Sequence, residues 1–581
     1  MNRKGRSCAI SARNWLDTLR HGSRSDAIIA SYLTALPLLI SAAATCCGLN
    51  PFWPLTVYFI IAGLVTGLIS VGDSVLYRFW SAKIDASVLP YLRTPREAVA
   101  SVSVRYVAGA SCLAIAVSAI YIAGAITATR IYTDFGITDI SAWWGYPLII
   151  LATLATAALL AIIIRGLGLR PNNPSMAYYS PEPFFNHWAL NPVYNFIYSL
   201  GTKDAFSGRF VSMTDEECDA ELRDALPTHG SPTTQLLTTD RPNILFIVWE
   251  SLGGEFTGCV GDKPEVTPNL DRLASKGVLL SRCSASSFRT DRGIVAALSG
   301  LPGQPTTSII RYTRKLAALP ALPATLAALG YDTIALHGGE LTFMHLADYF
   351  LASGHKHLIS KKDFPAEADR CKWGVHDGPV MDRAYTEIEH LTRAGKPWYM
   401  TLLTLSSHEP FVVPTKTLPD EIDNAYAYTD RSLGQLIEKL KSSPAWDNLL
   451  IVVMADHGLN LPDDSRRRED YCHIPVVLAG GAVKAPTVID TPTSQTDVAA
   501  TILGQMGIDH SEFAFSRDVT ADTYSRPFGF HTYSNGFLLT DTRGVTDYDN
   551  VADRPVDGAD ASRQRLGKAL LQRLYSYLSK L

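Results

Sequence analysis

From Ala27 to Gly72 the chain carries no charged side chain, and the same holds for Tyr106–Thr129 and Ile140–Ile164. Roughly 20 apolar residues span the hydrocarbon core of a bilayer. The first run is too long for one crossing and fits two, with Asn50-Pro51 after Gly48 as the turn between them. Membrane helices are therefore expected near Ala27–Cys47, Phe52–Val71, Val107–Thr129 and Gly145–Ile164. Trp143, Trp144 and Tyr146 stand at the start of the last one as interface anchors. Four such runs argue against the buried helices of a water-soluble protein. A cleaved leader is not expected either, because a polar segment precedes the first run and a second run follows at once.

A chain of 581 residues exceeds what one hydrophobic core supports. The expected division is a polar segment at 1–26, a transmembrane domain at 27–170, a juxtamembrane linker at 171–240, a catalytic domain at 241–530 and its C-terminal extension at 531–581. A net charge of −4 gives no basis for a nucleic-acid partner. The cysteines (8, 46, 47, 112, 218, 259, 283, 371, 472) show no metal-finger spacing, and one or two disulfides among the last five stay open. The linker combines several prolines with the aromatic residues Tyr178, Tyr179, Phe184, Phe185, Trp188, Tyr194, Phe196 and Tyr198. It reads as a segment lying on the membrane surface or as a connector packed on the soluble domain.

Beyond Arg241, apolar strand-like runs alternate with helical stretches, the pattern of a mostly parallel sheet covered on both faces. The strands expected are Ile244–Trp249, Val278–Leu280, Tyr331–Leu336, Tyr399–Leu405, Leu449–Met454 and Ile474–Leu478. Helices are expected at 267–277, with Thr267 as cap and Pro268 in the first turn, and at Asp291–Leu298, Ala321–Leu329 and Thr496–Met506. Apolar residues at helical spacing in Ala559–Leu581 predict a packing helix.

Three expected strand ends carry polar groups: Glu250, Asp456-His457 and His337. Open α/β sheets place ligands at the carboxyl ends of their strands, and oxygen and imidazole donors suit a divalent cation of the Mn, Zn or Mg type. Each group also has a bland reading, as a turn cap or a helix N-cap. Thr290, expected at the N-cap of Asp291–Leu298, sits where free N–H groups favour a phosphate oxygen. A plain capping role is the commoner use of a threonine there.

The ordered set RPNILFIVWESL, TPNLDRLASKG, FRTDRG, MADHG, HIPVVLAGG and SQTDVAATILGQMGI resembles the alkaline phosphatase/sulfatase superfamily. It looks most like the lipoteichoic acid synthase branch and the related phosphoglycerol transferases. The resemblance implies an α-helical membrane domain followed by an α/β sulfatase-like domain. It makes Glu250, Thr290, Asp456 and His457 the metal shell, with Mn²⁺ the first expectation and Mg²⁺ or Zn²⁺ as alternatives. Thr290 is then also the nucleophile, where sulfatases proper present a Cys or Ser for conversion to formylglycine. His408, in SSHEPF, and His337, in LHGGE, match substrate-side histidines. The branch's head-group arginine falls at Leu346, preceded by His345, so Arg289 or Arg292 is expected to supply the missing cation. His473 is expected to approach the site or to serve structurally.

The resemblance further implies a phosphoglycerol-type head group taken from a phospholipid, phosphatidylglycerol in the first instance. It would pass through a phospho-threonine to a glycan or glycolipid acceptor. Phosphoethanolamine transfer, a sulfatase or phosphodiesterase activity, and an inactive membrane-bound assembly factor are the competing readings. Charge bias (Arg3, Lys4, Arg6, Arg13, Arg20 and Arg24, then Arg78, Lys83, Arg93, Arg96 and Arg105) would place the C-terminal half in the cytoplasm. The resemblance places it outside the bacterial cell (inner) membrane. Members of the branch commonly have five membrane helices, so either one is missing ahead of Ala27 or this chain has four.

Overall fold

The structure, a computed structural model, describes residues 11–80, 83–85, 88–89, 104–135, 143–166, 172–180, 183–200, 206–226, 234–305, 307–459, 467–533, 536–550 and 553–581. It divides into two compact units, Met1–Lys203 and Asp204–Leu581.

The first unit holds helices α1 (Ala12–Cys46), α2 (Phe52–Trp80), α3 (Val104–Asp134) and α4 (Gly145–Arg165). All four are long and apolar enough to cross a membrane. α1 starts at Ala12, well ahead of the expected Ala27, because Ser11 caps it by accepting the Asn14 N–H at 3.2 Å. The added turns carry Arg13, Arg20 and Arg24, and arginine propagates a helix well in water. At 35 residues α1 is about 52 Å long, against a hydrocarbon core of about 30 Å. α2 and α3 meet at Gly63 and Gly67, where a Cβ would lie 2.6 Å from Ile122 Cγ1 and 2.2 Å from Ser118 Oγ. Small residues four apart let membrane helices approach this closely.

Two short helices, α5 (Pro183–Ala189) and α6 (Pro192–Leu200), follow. Their segment packs on the polar part of α1. Trp188 meets Trp15 at 4.5 Å, Tyr179 stacks on His21 at 4.3 Å, and the Asn191 N–H donates to Ser25 Oγ at 3.1 Å. Residues 206–226, including α7 (Asp215–Leu222), belong instead to the second unit. There Phe206 packs on Tyr575, and Gln572 Oε1 accepts the Ser212 N–H at 2.8 Å. The stretch read as one linker is thus shared between the units.

The second unit is built on strands β1 (Asn243–Trp249), β2 (Val278–Ser284), β3 (Asp332–His337), β4 (His357–Ile359), β5 (Trp398–Leu403), β6 (Leu449–Ala455), β7 (His473–Ala479), β8 (Thr487–Ile489) and β9 (Thr493–Ser494). Their order is β4-β3-β5-β1-β6-β7-β2-β8, with β9 beside β2. β1 is central and parallel to both neighbours. Its six residues Ile244–Trp249 are fully buried, each such side chain contributing roughly 1.5–3 kcal/mol on leaving water. β7 runs antiparallel to β6 and β2, a direction that apolar runs alone do not encode. Covering helices are α8 (Pro268–Ala274), α9 (Thr290–Ser299), α10 (Leu322–Ala328), α11 (Leu346–Ala352), α12 (Asp377–Arg393), α13 (Glu421–Lys441) and α14 (Asp497–Gln505).

A second, antiparallel sheet follows: β10 (Gly529–Tyr533), β11 (Gly536–Asp541), β12 (Gly544–Asp549) and β13 (Arg554–Asp557). It is backed by α15 (Ala561–Lys580), the expected packing helix. Gly567 of α15 lies against the Phe537 ring, with no room for a Cβ. The buried Asp497–Arg517 pair (2.5 Å) ties α14 to this region, since Arg517 also donates to Phe528 O at 2.8 Å. The cysteines among the described residues are free, so none of the soluble five forms a disulfide there.

Candidate active site

The register of the central strands builds the site. Trp249 of β1 is paired with Ala455 of β6, so the next residue on each strand, Glu250 and Asp456, surfaces beside the other. His457 follows directly. One carboxylate oxygen from each acid and a ring nitrogen of His457 lie within 4.8 Å of one another. His457 Nε2 is 3.4 Å from Asp456 Oδ2 and 3.9 Å from Glu250 Oε1. All three side chains are largely shielded from water, Asp456 completely.

Helix α9 brings the hydroxyl. Arg289 occupies the N-cap position and Thr290 the first turn, one residue off the expected cap. Thr290 Oγ1 donates to Glu250 Oε2 at 3.3 Å. The approach is close because position 293 is glycine: a Cβ there would stand 2.1 Å from the Asp456 carbonyl oxygen. The loop ahead of α9 is pinned as well. Gln495 Oε1 accepts the Ser286 N–H at 2.9 Å, while its amide donates to the Ala455 and Asp456 carbonyls at 2.8 Å.

Burial, reinforced by the Glu250 carboxylate, pushes Asp456 up to about 7. Burial alone would lower His457, but the Asp456 and Glu250 carboxylates beside it raise it above the usual imidazole range. Among the described residues, these two crowded carboxylates and one imidazole form a cluster short of positive charge. Asp456 Oδ2 is fully buried and, with His457 Nε2 3.4 Å away, accepts no hydrogen bond among the described residues, a costly state for a carboxylate oxygen. An oxygen- and nitrogen-ligated divalent cation would answer both deficits, so the residues fit one.

Of the other expected residues, His408 reaches the edge of this cluster. It is partly exposed, and its ring packs on Trp373 at 4.0 Å. Its Nδ1 donates to Glu409 O at 3.1 Å, and burial lowers its pKa although Asp456 is near enough to oppose this. His337 ends β3, two strands from β1. Its Nδ1 donates to Leu403 O at 3.0 Å and burial lowers its pKa, leaving Nε2 as an acceptor. His473 begins β7 and gives its Nε2 proton to Ser281 O at 2.8 Å, a strand-to-strand tie. His345 is buried and held to Asp348 at 3.0 Å. Arg292 is mostly buried and engaged with Gln304 O at 2.9 Å and Asp291 at 3.4 Å, whereas Arg289 is exposed beside Thr290.

Sequence reasoning missed the groups that hold Glu250. Thr404 Oγ1 accepts the Glu250 N–H at 2.9 Å, and Ser407 Oγ donates to the Glu250 carbonyl at 2.7 Å. Both lie just past β5, and the hydroxyl residues Thr404, Ser406 and Ser407 at the end of a largely apolar strand were the available signal.

Residues 242–508 match the family model described as sulfatase. Phosphoglycerol transferase I of Citrobacter koseri is 25% identical over 340 residues, covering 54% of this chain and 44% of that protein. Its counterpart in Xanthomonas campestris pv. campestris is 26% identical over 314 residues, covering 48% and 43%. The chain thus spans under half the length of these curated relatives. Among solved structures, a protein in the alkaline phosphatase superfamily from Vibrio parahaemolyticus superposes with a TM-score of 0.56 at 24% identity, over 64% of this chain and 97% of that one. The lipoteichoic acid synthase LtaP from Listeria monocytogenes gives 0.52 at 18% identity, over 64% and 99%. Four helices of membrane-spanning length are thus followed in sequence by an α/β half that matches the sulfatase family model over residues 242–508 and shares the fold of these solved structures.

Proposed function

We propose that the chain is a membrane-anchored, metal-dependent transferase. It moves a phosphoglycerol-type head group from a phospholipid, through a phospho-threonine at position 290, to a hydroxyl of a glycan or glycolipid. The observation that carries this reading is the convergence of the Thr290 hydroxyl on the Glu250/Asp456/His457 cluster. The phosphoglycerol transferases among its relatives agree with it.

Glu250, Asp456, His457 and Thr290 would hold the cation, Mn²⁺ first and Mg²⁺ or Zn²⁺ as alternatives. Such an ion, when bound, lowers the pKa of a coordinated hydroxyl and offsets charge on phosphate oxygens. In the first step Thr290 Oγ1 bonds to phosphorus, the bond to the diacylglycerol oxygen breaks, and the Thr290 proton passes to the Glu250 side of the cluster. In the second step an acceptor hydroxyl attacks the phospho-threonine and Thr290 is released. His408 handles the proton on the leaving and entering oxygens. With Nδ1 committed to Glu409 O, its Nε2 is the atom that exchanges it. His337 is placed to orient a phosphate or glycerol oxygen, and exposed Arg289 to pair with the phosphate. His345 acts by holding the start of α11 and His473 by tying β7 to β2. We place the catalytic half outside the cytoplasmic membrane, where glycan acceptors are found.

The test is the full chain in detergent with labelled phosphatidylglycerol and Mn²⁺. Diacylglycerol should be released and the mass of phosphoglycerol should appear on Thr290. Thr290→Ala should cut release about 10³-fold or more. Release by Thr290→Ala at the wild-type rate would refute the covalent route, and a phosphoethanolamine mass on Thr290 would reassign the donor.

A further inference from the structure

Ser251, the residue after Glu250, has a backbone φ of +59°, a left-handed conformation that residues other than glycine seldom adopt. Strain of that kind persists only where the surroundings hold it. Here every polar group of the residue is held. Its N–H donates to Asp456 Oδ1 at 2.7 Å, its hydroxyl donates to Glu250 Oε1 at 2.7 Å, and its carbonyl accepts the Tyr426 hydroxyl at 2.7 Å. The residue is buried, so water does not substitute for these bonds.

The effect is to sort four carboxylate oxygens into two kinds. Glu250 Oε1 and Asp456 Oδ1 are tied to the same residue, and the His457 N–H adds a second bond to Asp456 Oδ1 at 2.9 Å. The other two oxygens are left to the cluster: Asp456 Oδ2 accepts no hydrogen bond among the described residues and lies 3.4 Å from His457 Nε2, and Glu250 Oε2 meets the Thr290 hydroxyl, while Glu250 Oε1 stays 3.9 Å from the same ring nitrogen. A carboxylate free to rotate would present either oxygen, and two like charges this close would turn away from each other.

We infer that Ser251 is a positioning residue: its strained turn, clamped by Tyr426, aims one oxygen of Glu250 and one of Asp456 at a common divalent cation. This rests on the metal reading above. It also separates two roles for the turn. A turn that only changes chain direction would improve with glycine, which adopts φ +59° without strain. A turn that aims ligands would lose function with glycine, because the hydroxyl goes.

The experiment compares the full-length wild type with Ser251→Gly and Tyr426→Phe, all in detergent. Mn²⁺ affinity is measured by titration calorimetry, and thermal midpoints are measured without metal. Ser251→Gly should bind Mn²⁺ about 10- to 100-fold more weakly, with a metal-free midpoint equal to or above wild type. Tyr426→Phe keeps the ring and removes the hydroxyl that holds the Ser251 carbonyl, and should weaken Mn²⁺ binding in the same direction. Wild-type Mn²⁺ affinity in Ser251→Gly would overturn the inference. Should that variant not fold, wild-type affinity in Tyr426→Phe would do so. If the wild type itself takes up neither Mn²⁺, Mg²⁺ nor Zn²⁺, the metal reading fails first, and the positioning role fails with it.

Discussion

Gly293→Ala is the sharpest perturbation of the site's geometry. In an ordinary helix the change should stabilise by about 1 kcal/mol. Here the new Cβ would stand 2.1 Å from the Asp456 carbonyl oxygen and 2.7 Å from its carbon. These are backbone atoms, so no side chain can swing aside. To reach even 3.0 Å, α9 must retreat from the end of β6 by about 0.9 Å. Overpacking of this kind costs about 1–3 kcal/mol, much of it offset by the helix gain, so the net loss of stability should be about 0–2 kcal/mol. The effect on rate should be larger. Thr290 rides on the same helix and begins 3.3 Å from Glu250, and a displacement of about 1 Å at a reacting group costs about 10²-fold. Diacylglycerol release and the thermal midpoint, measured together, read both effects. A Gly293→Ala protein with the wild-type rate would show that the contact of α9 with the Asp456 backbone does not place the Thr290 hydroxyl for the proposed reaction.

Two further outcomes concern stability. Arg517→Met leaves Asp497 buried and unpaired, and should cost about 3–5 kcal/mol in denaturant titration. The double variant Arg517→Met/Asp497→Leu should recover most of that, and a single-variant cost below about 1 kcal/mol would refute the pairing. His355 is buried with Nδ1 donating to Phe350 O at 3.0 Å, and burial lowers its pKa to about 3. The folded value lies below the unfolded one, so the neutral ring's stability is fully present above about pH 6.5 and is lost as pH falls toward 3. The loss should approach about 1.4 kcal/mol per pH unit in that window. His355→Gln should flatten the slope of thermal midpoint against pH, and an unchanged slope would exclude this histidine as its source.

What the sequence made legible was whatever burial writes into it. The strand β1 is an unbroken apolar run because it is covered on both faces, and Glu250 marks where that cover ends. The membrane helices were readable for the same reason, although the start of α1 was not, since its polar turns are helical by capping and carry no apolar pattern. The antiparallel direction of β7 was hidden, because a fully buried strand looks alike in either direction. The small sheet at 529–557 did leave a signal in Asn535-Gly536 and Arg543-Gly544, turn pairs between alternating apolar residues. At the site, residue types indicated Glu250, Asp456, His457 and Thr290 as candidates, and the fold brings these four together. Positions such as Ser251 and Gly293 were illegible because their part depends on backbone conformation and on an approach between segments distant in sequence. His345 stands just before the position of the branch's head-group arginine, yet Asp348 three residues on holds it in a buried pair.

The pairing of Trp249 with Ala455 acts as a ruler. Parallel neighbours in a sheet lie about 4.8 Å apart, and slipping either strand by one residue would turn its end group to the opposite face. The spacing of Glu250 and Asp456 is therefore set by the most deeply buried part of the molecule, while Thr290 is carried by a helix and His408 by a strand-end loop. Such a partition lets the surrounding loops change while the two carboxylates stay in step, because any change that disturbs their spacing must first break the core.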